Sequence, residues 1–521
     1  HQWFGNLVTM KWWDDLWLNE SFANMMEYVC VNAIEPTWNI FEDFQTSGVP
    51  LALKRDATDG VQSVHVEVKH PDEINTLFDP AIVYAKGSRL MHMLRRWLGD
   101  EAFAKGLNAY FAKHQYSNTI GRDLWNALGA ASGRDVAAFM DSWLEQPGYP
   151  VLTAVVENDT LKISQKQFFV GEKEEKDRLW VVPLNSNWTG IPDTLETETL
   201  EIPNYAALAA QNEGALRFNT ENTAHYITDY QGELLDNILA TITDLDNTSK
   251  LQVVQERRLL AEAGFVSFAD LIPVIEKLTN EKSYLVVSAV KAVLNSLRTF
   301  VDEGTETEVA FKKLLVKLNQ ANFDRLGFEA KAGETDEDEL VRQIVVANMI
   351  AADDEKASQK ASQIFEAYHD TLEKLPAATR LQILINQIKH HETKELTDQY
   401  LATYIATVDG NFQRQLASAL SYTKSEATLT RLLKEWKNKD VVKPQDLAMS
   451  WYFTFLQHDF TQGTVWTWAR DNWDWIKAAL GGDMSFDKFV IYPASTFKTY
   501  ERLAEYKAFF EPQLSDLAIR R

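Results

Sequence analysis

Cysteine occurs once in 521 residues, at Cys30, so no intrachain disulfide can form. A reducing compartment is the expected setting, and the cytoplasm the expected location. Long apolar runs are missing too: nothing approaches the roughly 18–20 residues of a membrane-spanning helix. Basic residues are outnumbered, with 52 Lys and Arg against 75 Asp and Glu, for a formal charge of −23. That balance disfavours nucleic acid and anionic lipid as partners, since both are gripped by basic patches. What is present is ordinary globular material, 45% hydrophobic and 24% charged. The chain is too long for one core and suggests about three domains. Tryptophan is plentiful at 16 residues, several of them within the first twenty positions.

Periodicity divides the chain. Residues 1–148 read as helical, with buried helices expected over Leu18–Val29, Ser88–Trp97, Asn118–Leu128 and Val136–Leu144. Gln146-Pro147-Gly148-Tyr149-Pro150 then breaks helical structure. Residues 149–230 change to a period of two. A hairpin is expected from Val151–Val156 and Leu161–Gln165 across Asn158-Asp159, with further short strands at Gln167–Val170, Leu179–Leu184, Thr197–Ile202 and Leu216–Asn219. A small β-sandwich accounts for such a stretch. Residues 231–521 return to amphipathic helices in short-looped pairs, which predicts a helical superhelix. The acidic run Glu334-Thr335-Asp336-Glu337-Asp338-Glu339 is read as a solvated loop favouring the positive end of the helix that follows.

His1 and Glu20 are the residues of chemical interest. A catalytic zinc takes three protein ligands, commonly imidazole and carboxylate, and leaves a position open. A histidine and a glutamate nineteen positions apart say little alone, but Glu20 sits in an apolar, tryptophan-rich helix start where an unpaired carboxylate is costly. Around them, His1-Gln2-Trp3-Phe4-Gly5-Asn6 and Trp17-Leu18-Asn19-Glu20-Ser21-Phe22-Ala23 resemble the zinc aminopeptidases of the aminopeptidase N type, gluzincins whose pattern is His-Glu-x-x-His, eighteen residues, then Glu. Phe78-Asp79-Pro80-Ala81-Ile82-Val83-Tyr84-Ala85-Lys86-Gly87 resembles the family segment carrying Tyr-x-Lys-Gly.

The resemblance implies one Zn2+ per complete site, with His1 and Glu20 as ligands and Tyr84 stabilising the tetrahedral oxyanion. It implies substrates that are peptides with a free amino terminus. It also implies the order of domains: the last part of a thermolysin-like catalytic domain (1–148), the β-sandwich (149–230) and the helical superhelix (231–521), a multidomain and mainly α protein. The first zinc histidine and the general-base glutamate would fall before His1, so the chain is expected to be cut within the motif and inactive alone. Glu27, seven positions after Glu20, is open to two readings, supporting a ligand histidine or an ordinary surface pair. Asn19 is open to two as well, holding a metal ligand in place or capping the helix. His65 and His70, flanking Glu67, are read as a surface loop. The alternative function is a non-catalytic peptide-binding or scaffold protein on a helical superhelix, which would lack His-Glu-x-x upstream.

Overall fold

Apolar residues at helical spacing close into buried faces along most of the chain. The computed structural model describes residues 1–171, 173–174, 176–481 and 485–513. Two units are distinguished, His1–Val293 and Leu294–Arg521, the division falling inside the helix Tyr284–Arg298.

In the first unit the tryptophan-rich start folds as turns and a short strand, Val8–Met10, that pairs in parallel with Ser117–Thr119. The helix Trp17–Ile34 follows. It packs against Gly87–Leu98 and against a π-helical segment, Pro80–Lys86. Trp17 stacks on Trp125 of the helix Gly121–Ser132, ring centroids 5.0 Å apart, which fixes the helix start. Val136–Leu144 is helical over the residues expected. The expected helix at Asn118–Leu128 starts later, because Asn118 is spent in the strand and Asp123 returns its carboxylate to the Ile120 amide.

The predicted hairpin forms as Pro150–Glu157 and Thr160–Gln167. They are the centre of a four-stranded sheet, in spatial order Thr199–Pro203, Thr160–Gln167, Pro150–Glu157, Ile227–Tyr230, the last pair parallel. Ile227–Tyr230 is buried at all four residues and so shows no alternation in sequence. Three expected strands do not form as read; of Gln167–Val170 only Gln167 is in a strand, at the end of Thr160–Gln167, and the Val170 amide turns to the Ala57 carbonyl. At Leu179–Leu184 only Val182–Pro183 pairs, with Thr194–Leu195, because side chains satisfy the backbone before it. Gln165 both donates to the Trp180 carbonyl and accepts from its amide, and Trp143 Nε1 donates to the Val181 carbonyl. At Leu216–Asn219 the Arg217 amide donates to Asn187 Oδ1 and the Phe218 amide to the Tyr230 hydroxyl.

The second unit is helical. Consecutive helices pack pairwise, Glu306–Leu326 on Asp336–Ala351, Glu355–Tyr368 on Arg380–His391, and Lys394–Ala406 on Gly410–Leu420. The buried indoles of Trp436, Trp451 and Trp466 mark its core toward the carboxy-terminal end. The acidic run is not a loop. Thr335 caps the helix that begins at Asp336, Asp338 returns to the Thr335 amide, and Arg325 and Arg342 pair with Asp338 and Glu334. Among the described residues no helix is long and apolar enough to cross a membrane. The chain is multidomain and mainly α, with few small sheets.

Candidate active site

Tight turns place His1. The Asn6 amide donates to the His1 carbonyl at 3.0 Å and the Leu7 amide to Gln2 at 3.1 Å. Gly5 sits at φ +130°, and a Cβ there would meet the His1 carbonyl at 3.1 Å. Phe4 stacks on Phe22 at 4.3 Å, which lays this turn over the second turn of Trp17–Ile34. Glu20 lies in the first turn, where the helix dipole favours a carboxylate.

His1 Nε2 and Glu20 Oε2 lie 3.4 Å apart. That is wider than the ~2.7–2.9 Å of a charge-assisted hydrogen bond. It matches two ligands of a tetrahedral zinc, whose bonds of about 2.0–2.1 Å set them about 3.4 Å from each other. Tyr84 enters from the π-helical segment, whose start is capped by Asp79 accepting from the Ala81 amide. Burial, and then the nearby Glu20 carboxylate, push the Tyr84 phenol far above its ordinary range. It is therefore a protonated donor in neutral solution. The three residues singled out from the sequence thus meet at one place. Among the described residues no group of three or more His, Cys, Asp or Glu side chains gathers closely enough to hold a metal ion. His1 and Glu20 fit two positions of a zinc site, with imidazole and carboxylate donors.

The supporting residues fall differently. The helix starts at Trp17 with no side-chain cap, so Asn19 does not cap it. Its Oδ1 is buried without a hydrogen-bond partner. Glu27 is exposed. His65 belongs to a peripheral segment, its Nδ1 2.8 Å from Glu145 and its amide bonded to the Leu144 carbonyl. Sequence reasoning missed Ser21, whose hydroxyl donates to the Val83 carbonyl at 2.5 Å and so ties the Glu20 helix to the Tyr84 segment. It also missed Lys86, Asp56 and His225, all fully buried behind Tyr84. A lysine in an otherwise apolar stretch was the one available signal.

Residues 1–143 match the Peptidase family M1 domain, and residues 216–521 match the ERAP1-like C-terminal domain. This chain belongs to the M1 peptidase family. Within it, the chain is of the aminopeptidase N type. Over its whole length it is 62% identical to an aminopeptidase N of Lactococcus lactis subsp. lactis and 45% identical to one of Lactobacillus delbrueckii subsp. lactis. Over 98% of its length it is 29% identical to a puromycin-sensitive aminopeptidase of Caenorhabditis elegans. It spans 62%, 62% and 55% of those relatives' own lengths.

Gly87, the glycine of the family-like Tyr-x-Lys-Gly segment, has a steric reason. A Cβ there would lie 2.7 Å from Ser21 Cβ, so the two segments approach closely only because it has none. Gly87→Ala is expected to cost about 1–3 kcal/mol by overpacking, read as a lowered midpoint in urea unfolding.

Proposed function

We propose that this chain forms most of a zinc aminopeptidase that releases amino-terminal residues from peptides with a free amino terminus. The observation that carries the reading is the meeting of His1, Glu20 and Tyr84, brought from a turn, a helix start and a π-helical segment. His1 and Glu20 would hold the metal. When bound, zinc supplies Lewis-acid polarisation of the scissile carbonyl and makes its water more acidic. The Tyr84 hydroxyl donates its O–H to the carbonyl oxygen as negative charge develops there, an interaction stronger in the transition state than in the ground state. The domain order we propose is the catalytic remainder at 1–148, a β-sandwich at 149–230 and a helical superhelix at 231–521. The lone Cys30 supports a cytoplasmic location.

On this reading the remaining histidine ligand and the general-base glutamate are not among these 521 residues. A polypeptide of His1–Arg521 alone is expected to bind zinc weakly and to leave aminoacyl anilides intact. Zinc titration against a competing chelator and a p-nitroanilide assay check this, and robust turnover by that polypeptide would overturn it. The complete protein is expected to lose activity on chelation and regain it with Zn2+. A complete protein that binds peptides but never cleaves them would favour the scaffold alternative instead.

A further inference from the structure

Behind Tyr84 lies a polar cluster without solvent access. Lys86 closes the π-helical segment two residues after Tyr84, and its ammonium is 2.8 Å from Asp56 Oδ2. His225 Nε2 is 3.0 Å from the same oxygen. Asp56 Oδ1 accepts from the Gly148 amide at 2.9 Å, while Lys86 also donates to the Gly148 carbonyl at 3.2 Å. All three side chains are 0% exposed. One carboxylate thus joins the end of the helix Gly48–Asp56, the end of the π-helical segment, the break at Gly148 and His225, two positions ahead of the strand Ile227–Tyr230.

A buried ion pair is a poor source of net stability, because desolvation cancels most of the attraction. Its usefulness lies in geometry, since a buried ammonium has few places to go. The Tyr84 segment is held at two points. Ser21, next to Glu20, holds Val83 from the site side. Asp56 holds Lys86 from the core side. Tyr84 lies between these anchors, in a π-helical turn whose widened backbone needs support from outside itself.

We propose that Lys86 and Asp56 are positioning residues for Tyr84: their buried ion pair fixes the π-helical turn so that the phenol stands against Glu20. This rests on the reading of Tyr84 as the oxyanion donor. It adds that the catalytic value of Tyr84 depends on two residues that touch neither metal nor substrate.

The test is a double-mutant cycle in the complete protein, using alanyl-, leucyl- and lysyl-p-nitroanilide. The paired variant Lys86→Met with Asp56→Asn removes both charges together and avoids an isolated buried ion. It is expected to fold and keep its zinc, with kcat lowered tenfold or more and KM within twofold. In a Tyr84→Phe background the same pair is expected to add no further loss, because its effect passes through the missing hydroxyl. Wild-type kcat in the paired variant, or a loss repeated in full on Tyr84→Phe, would overturn the proposal. If the paired variant does not fold, Lys86→Gln takes its place with the same expectations, since the glutamine amide keeps a donor for Asp56 Oδ2. Wild-type kcat in Tyr84→Phe alone would instead overturn the oxyanion reading, so the two failures are distinguishable.

Discussion

Replacing Tyr84 by Phe is expected to lower kcat of the complete protein by about two to three orders of magnitude, the usual cost of one oxyanion donor. The substitution removes one oxygen from a half-buried ring and leaves the ring's packing in place. The pressure on the phenol explains why so much is at stake. Burial and the adjacent Glu20 carboxylate hold it neutral, so it can donate but cannot turn into a competing anion. Its strongest partner is therefore an oxygen that gains charge during the reaction. KM is expected to stay within a few-fold, because the ground-state carbonyl is a weak acceptor by comparison. Zinc content, measured by chelator competition, is expected to be unchanged, since Glu20 loses a donor and not a ligand atom. A raised KM with kcat intact would mean that the hydroxyl binds substrate and transition state alike, and would sink the assignment.

Glu256→Gln is expected to stabilise the protein markedly in alkaline solution and to change little in acid. Glu256 is 4% exposed on the helix Asn247–Glu262. Burial raises its carboxyl to about 8, against the opposing pull of Gln252, the Thr228 backbone and Arg89. The folded state thus holds a proton that the unfolded chain releases near its ordinary carboxyl value. The sign follows: this group's contribution is complete below about 4.5, the ordinary Glu value, and is lost as pH rises through about 8. At roughly 1.4 kcal/mol per pH unit, the wild type gives up a few kcal/mol across that window. The glutamine cannot ionise and keeps an acceptor for Gln252, whose amide reaches Glu256 Oε1 at 2.9 Å. Urea unfolding of both proteins at pH 5 and pH 9 is the measurement. Equal differences at the two pH values would show that Glu256 is ionised throughout.

The site was legible where its residues carry chemistry in a recognisable local setting. His1, Glu20 and Tyr84 stand in short motifs, and the helix around Glu20 announces itself by its apolar spacing. What supports them was not legible. A π-helical turn adds one residue to a helical pattern and leaves no period of its own, so Pro80–Lys86 reads as plain helix or loop. Asp56 and His225 come from positions 169 residues apart, and only the fold reveals that they bond to each other. The hairpin was legible because its strands alternate and meet at Asn158-Asp159, both at positive φ. The supposed strands at Leu179–Leu184 and Leu216–Asn219 failed for one physical reason. Alternating sequence promises an exposed ladder, but here Gln165, Trp143, Asn187 and Tyr230 had already bonded the backbone.

The parallel register between Val151 and Ile227 has a consequence for how the chain reaches its native state. A slip of one residue would turn Ile227–Tyr230 to the opposite face of the sheet. It would also carry His225, two positions ahead, by about 3.3 Å along the strand axis. The imidazole would then lie in the core without its acceptor, and Asp56 would lose one of its two side-chain partners. Burial, against the opposing pull of Asp56, already lowers the His225 imidazole to about 4, so it could not escape by taking a proton in neutral solution. Misregistered pairing is therefore penalised at a point remote from the strands themselves. The cluster behind Tyr84 proofreads the sheet.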